Sequence, residues 1–201
     1  VIHVATSAAK RIIEPPIVSE AVKIQLGKKI KELKPDVIGI VGYGNVGKAI
    51  ANEFHKRYRI LIYDSDVDIK KEKQENIQFC KTKDELYIQS DVIIGATGHD
   101  ISDLKWLSET NGNKTLISVS SGDIEFNRIL RNCQSQLFEK LESPLQDLRI
   151  RTKNGYTLQI LRGGLVANFT GKPDSSPGPI IQMTRGLLFS AVVQIIEDQY
   201  K

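Results

Sequence analysis

The residues with the most chemistry to offer lie between Val37 and Asp64. The loop Gly42-Tyr43-Gly44-Asn45-Val46-Gly47 has the spacing Gly-x-Gly-x-x-Gly, follows the apolar run Val37–Val41 and opens an amphipathic segment. Such a loop suits a diphosphate. Its first glycine allows a tight turn out of a strand, its second leaves room for a pyrophosphate against bare main chain, and its third lets a helix pack close to the strand. The first N–H groups of that helix have no partners of their own, and the helix dipole favours an anion there. A second apolar run, Tyr58–Tyr63, ends in Asp64. That acid follows the glycines by roughly 20 residues, where a ribose-binding carboxylate belongs. Strand, glycines, helix, strand and acid in this order point to dinucleotide binding. The alternative is a glycine-rich turn in an α/β domain that binds nothing.

Two further loops carry candidate groups. Thr97, Gly98 and His99 follow the apolar run Asp91–Ala96, and Ser120 follows Thr115–Val119. His99 is read either as touching cofactor or substrate or as a solvated loop histidine. Asp123 and Glu125 are read either as a paired acid site or with Asp123 as a helix cap. Ser120 and Ser121 have no base beside them in sequence, which argues against a nucleophile. No metal-ligand spacing joins Cys80, Cys133, His3, His55 and His99. The run Lys23–Lys34 reads as the solvated face of a helix, since nucleic-acid binding calls for a broader basic surface and more than 6% aromatic residues.

These groups need elements to position them. A helix is expected from about Ser19 to Leu33, with the pair Pro15-Pro16 before it blocking regular structure and marking a junction. The spacing then predicts strands over Val37–Val41, Tyr58–Asp64, Asn76–Cys80, Asp91–Ala96 and Thr115–Val119. Helices are expected after Gly47, over Lys83–Gln89, around Trp106, and from about Ile124 to Arg131. Asn154-Gly155 between Leu148–Arg151 and Tyr156–Leu161 signals a hairpin. Leu165–Phe169 is a candidate further strand, Lys172–Pro179 a loop, and Pro179 the start of a long helix whose apolar stripe is expected to pack or to form a subunit contact. Strands alternating with helices imply a Rossmann-type, doubly wound, mostly parallel α/β sheet with helices on both faces, plus a carboxyl-terminal hairpin and long helix. Its ligand crevice would lie at the carboxyl ends of the strands, where Gly42–Gly47, Ala96–Asp100 and Ser118–Asp123 converge.

At 201 residues with 40% apolar and 26% charged content, the chain can bury a real core as one domain. The expected division is a junction over residues 1–16 and a dinucleotide-binding domain over 17–201. The start at Val1 without methionine suggests a piece of something longer or a processed product. Two cysteines make no disulfide framework, which fits a reduced, cytoplasmic protein. No apolar run is long enough to span a bilayer.

Several stretches together resemble the cofactor domain of the S-adenosylhomocysteine hydrolase family. Gly42–Lys48 differs from that family's Gly-Tyr-Gly-Asp-Val-Gly-Lys at one residue, and Ala96–Ile101 matches its Thr-Thr-Gly-Asn-x-Asp-Ile loop in part. Ser118–Glu125, Gly163–Asn168 and Thr170–Pro173 follow in the family's order. The resemblance implies tightly bound NAD. It places Gly42, Tyr43, Gly44, Asn45, Val46, Gly47, Asp64, Thr97, Gly98, His99, Ser120 and Asn168 at the cofactor and assigns no catalytic residue and no metal. Asp64 stands where the family has a ribose-binding Glu. A carboxylate there repels a 2′-phosphate, which favours NAD over NADP.

Departures from the family are plain. Its histidines fall at Ser121 and Lys172, one asparagine falls at Ala167, and its substrate domain is not in this sequence. The expected protein is therefore a fragment or divergent relative of that hydrolase lacking the full acid–base set. Two other readings stand beside it: a 2-hydroxyacid dehydrogenase-like oxidoreductase domain, and a non-catalytic NAD-binding module. The dehydrogenase would call for an arginine after the fifth strand, and Ser120-Ser121-Gly122-Asp123 offers none. The expected partners are a small nucleotide ligand and a further copy of the chain, with neither nucleic acid nor membrane.

Overall fold

The apolar run ahead of the glycine loop forms strand β1 (Val37–Val41), buried from Ile38 onward. A computed structural model describes residues 7–66, 75–120, 122–133, 143, 145–167 and 178–199. In it β1 lies between β2 (Arg59–Tyr63) and β4 (Val92–Gly95), parallel to both, with Val41 opposite Tyr63 on one side and Gly95 on the other. Strand β3 (Ile77–Phe79) extends the sheet beyond β2. On the other side β5 (Lys114–Ser118) is followed by β7 (Thr157–Ile160) and β6 (Leu148–Arg151). The order is β3-β2-β1-β4-β5-β7-β6. Chain direction through the sheet reverses between β1 and β4, which is where an open parallel sheet leaves a crevice.

All pairs are parallel except β6 with β7. The exception follows from the expected hairpin, since Gly155 takes φ 82°, a conformation that side chains resist.

Successive strand residues face opposite sides of a sheet, and here both sides are apolar. On one face Ile38, Ile40, Ile60, Ile62, Ile94 and Ile117 pack with Ile30 of helix α1 (Ala8–Leu33) and with Ile50, Ala51 and Phe54 of α2 (Asn45–Phe54). On the other, Leu61, Ile93, Leu116 and Leu158 pack with Leu86 and Tyr87 of α3 (Lys83–Gln89), Trp106 of α4 (Trp106–Glu109) and Ile129 of α5 (Asn127–Asn132). Trp106 stacks flat on Tyr87, with ring centroids 4.1 Å apart. Helices cover both faces, so the fold is the Rossmann-type α/β arrangement expected.

Four local expectations are corrected. Helix α1 begins at Ala8 and runs through Pro15-Pro16. Proline removes a donor from the helical ladder, but its fixed φ is itself helical. The helix after β5 starts at Asn127, not Ile124, and Asp123 does not cap it: Asp123 adopts φ 52° and its Oδ1 accepts from Val166 N at 2.9 Å. The N–H of Arg128 at the start of α5 instead reaches Asp100 Oδ2. Leu165–Ala167 forms no strand, because β7 ends in a tight turn over Leu161–Gly164 in which Arg162, Gly163 and Gly164 all take positive φ. Finally, helix α6 (Gly178–Gln199) does not bury its apolar stripe. Leu188, Phe189, Val192, Ile195 and Ile196 are exposed, so the part of the stripe that was to pack stays open for a subunit contact.

Phe169, Ser121, Asn168, Lys172 and most of the charged stretch Asp66–Glu75 lie outside the described residues. No helix among the described residues is long and apolar enough to cross a membrane.

Candidate functional site

The glycine loop divides its work among three positions. Gly42 turns the chain out of β1 with φ 98°, while its N–H still bonds Tyr63 O at 2.8 Å. A Cβ at Gly47 would lie 2.0 Å from Gly42 O, so α2 meets the turn at a separation only a hydrogen permits. A Cβ at Gly44 would meet nothing within 4 Å. Open space at the middle glycine, ahead of a helix whose start has no side-chain cap, is what an anion seated on the helix amides requires.

Asp64, just past β2, is tied to this loop. Its Oδ2 accepts from Tyr43 N at 2.6 Å and its Oδ1 from Asp66 N at 2.8 Å. A carboxylate offers about four lone-pair sites, so two amide bonds fix its orientation and leave capacity for a ligand hydroxyl. Thr82 caps α3 by accepting from Glu85 N and so sets Lys83 at the rim. The resulting crevice holds about 400 Å3, and its lining includes Gly42, Gly44, Asp64, Lys83, Thr97 and His99.

The other expected site residues fall in several places. The Tyr43 side chain is buried in the core against Phe79, and its N–H is donated to Asp64. Val46 packs on the core edge and Asn45 is exposed. Gly98 is in the loop between Thr97 and His99, where Thr97 Oγ1 donates to His99 O and accepts from His99 N. Ser120 is not part of the crevice lining.

Behind that loop lies Glu125, a fully buried acid. Its Oε1 accepts from Thr97 N at 2.8 Å and Gly98 N at 2.9 Å. Its Oε2 sits over Gly95, where a Cβ would come within 1.8 Å of it. Burial pushes this carboxyl up from its ordinary value, and the Ser120 hydroxyl and the Thr97 and Gly98 amides only offset that. Glu125 Oε2, Ser118 Oγ and Ser120 Oγ are buried without a partner in hydrogen-bonding geometry, although Ser120 lies near enough to act on the acid. Of the two readings of Asp123 and Glu125, the paired acid site fails as the cap does, because Asp123 is exposed and bonds Val166 while Glu125 is buried. Gly95 and Lys83 were missed altogether. An apolar strand ending in glycine two residues before Thr97 was the available signal for Gly95.

A glycine turn, an open helix start and a fixed acid at the switch point of a parallel sheet define a dinucleotide-binding domain, and the residues present fit such a ligand. Residues 4–124, more than half of the chain, match the family model of the D-isomer specific 2-hydroxyacid dehydrogenase, NAD binding domain. The chain belongs to this family, and its cofactor is NAD. A comparison with curated proteins gives no match. Similar solved structures include a formate dehydrogenase of Granulicella (16% identity, 62% of this chain on 42% of that one, TM-score 0.45). A D-lactate dehydrogenase with NAD+ from Lactobacillus jensenii gives 15% identity, 62% on 46% and 0.45. An NAD-dependent formate dehydrogenase from Staphylococcus aureus gives 18%, 60% on 45% and 0.46. The chain thus spans less than half the length of these structures, and the assignment rests on the family match alone.

That match overturns the resemblance to S-adenosylhomocysteine hydrolase, and with it the hydrolase and one-carbon readings. The physical reason lies in which residues carried it. The glycine loop, its strand and its acid are what any such crevice demands, so they do not tell families apart, and the later stretches matched only in part.

Proposed function

We propose that this chain is the cofactor domain of an oxidoreductase that moves a hydride between NAD and a small hydroxy acid held by a further domain. The observation that carries this is the coupling of Asp64 to the glycine loop through Tyr43 N, in a chain of the dehydrogenase family. When bound, NAD would accept or return the hydride. The chain's own part is to bind and orient it. Gly42, Gly44, Gly47 and the main chain of Tyr43, Asn45 and Val46 would cradle the pyrophosphate. Asp64 would hold the adenosine ribose and disfavour NADP, and Thr97, Gly98 and His99 would form the facing wall. Ser120 and Asn168 complete the proposed set.

A second reading, a non-catalytic NAD-binding module, is favoured by the Ser118–Asp123 stretch, which offers hydroxyls and an acid but no cation to hold a substrate carboxylate. One experiment separates the two. Calorimetric titration with NAD and NADP is followed by addition of D-2-hydroxy acids while absorbance of reduced nicotinamide is monitored. NAD binding with reduction supports the oxidoreductase. Binding without reduction, by a preparation that includes the rest of the protein, supports the module. No heat with millimolar NAD rejects both.

The buried free thiols of Cys80 and Cys133 support a reducing, cytoplasmic setting. The exposed apolar side chains of α6 support association with a second copy, and light scattering of the purified chain tests it.

A further inference from the structure

Glu125 is the one fully buried acid among the described residues, and nothing in the dinucleotide reading uses it. A purely structural acid would be expected to meet a cation. Here the groups acting on the carboxyl are hydroxyls and amides, with no cation among them. Its two oxygens have separate tasks. Oε1 gathers the N–H groups of Thr97 and Gly98, the residues that turn the chain out of β4 into the crevice wall. Oε2 points back over Gly95. Gly95 is in register with Ser118 on the neighbouring strand, and residues in register project to the same face. Ser118 thus projects to the face over which Oε2 lies, and Ser120 is near enough to act on the carboxyl, while Oε2 and both hydroxyls are buried without a hydrogen-bond partner. One more bond closes the arrangement: Ile101 N donates to Glu125 O at 2.9 Å. The loop from Thr97 to Ile101 is therefore strapped to residue 125 at both ends.

We propose that Glu125 is a positioning residue for the cofactor, its Oε1 clamping the Thr97–Gly98 main chain so that the crevice wall is set before NAD arrives. This rests on the reading that NAD occupies the crevice lined by Thr97 and His99. A neutral amide does the same work as the acid: in Glu125→Gln the side-chain carbonyl still accepts both N–H groups. In Glu125→Ala the two amides lose their acceptor, and in Glu125→Asp a shorter side chain falls short of them.

The test combines NAD titration calorimetry on wild type, Glu125→Gln, Glu125→Ala and Glu125→Asp with hydrogen exchange at Thr97 and Gly98 in the ligand-free wild type. The expected result is protected amides at both positions, affinity in Glu125→Gln within about three-fold of wild type, and a loss of about ten-fold or more in Glu125→Ala and Glu125→Asp. A residue with only a structural role would lower the melting temperature of the folded variants and leave their NAD affinity alone. Wild-type affinity in a folded Glu125→Ala or Glu125→Asp overturns the proposal. So does an equal loss in Glu125→Gln. If the shortened variants do not fold, exchange in the wild type decides: fast exchange at Thr97 and Gly98 overturns the clamp, and protection upholds it. Failure of the wild type to bind NAD would instead reject the cofactor reading, with the exchange result still reporting on the clamp.

Discussion

The crevice has two unlike walls. On the β1–β2 side the ligand-facing surface is bare main chain with one carboxylate: Gly42 turns, Gly44 is bare, and Asp64 is oriented by the N–H of Tyr43 and Asp66. On the β4–β5 side the surface is a loop whose shape is imposed from behind by Glu125, over a glycine that leaves space for it. One wall is made by omitting side chains and the other by burying one. Omission costs conformational entropy at each glycine. Burial costs desolvation of an acid, which the Thr97, Gly98 and Ser120 groups only partly offset.

The difference can be broken most severely at Gly47. Gly47→Ala puts a methyl group 2.0 Å from Gly42 O, and the packing of α2 on the turn should lose about 3 kcal/mol, read from the urea midpoint. Gly44→Val probes the same wall without touching the fold. Its Cβ meets no protein atom within 4 Å, so the stability read from the urea midpoint should stay within about 0.5 kcal/mol of wild type, while NAD affinity falls about 100-fold because the side chain fills the phosphate path. An unchanged affinity would remove the pyrophosphate from this loop. Asp64→Asn should weaken NAD by roughly ten-fold and narrow its advantage over NADP, measured by parallel titrations of both.

The smallest effect sharpens the second wall. Because the folded Glu125 carboxyl titrates above its ordinary value of 4.5, the folded state holds its proton more tightly than the unfolded chain. Stability from this group is complete below pH 4.5 and is lost as pH rises through the raised value. Denaturation midpoints of wild type should therefore decline over that window relative to Glu125→Gln. Superimposable profiles would mean that the acid is not desolvated.

The two walls were not equally legible in the sequence. Gly42, Gly44, Gly47 and Asp64 are ordered by local rules of turn geometry and chain length, so their spacing alone located the first wall. The strands could be read because a sheet covered on both faces needs continuous apolar runs such as Val92–Ile94. Glu125 carries no such mark. An acid near a helix start reads as a cap or a paired site, and only its 0% exposure and its bonds across 28 residues to Thr97 set it apart. The same holds for the α6 stripe, where periodicity left packing and a subunit contact both open and only the fold showed the side chains exposed.

The amino-acid order by itself determined a doubly wound α/β sheet with an anion-ready turn, because period, glycine placement and hairpin chemistry act between near neighbours. Tertiary structure alone decided which acid is buried, which caps, and how the loop after β4 is held, because desolvation and hydrogen bonding depend on groups that meet only when distant strands come together.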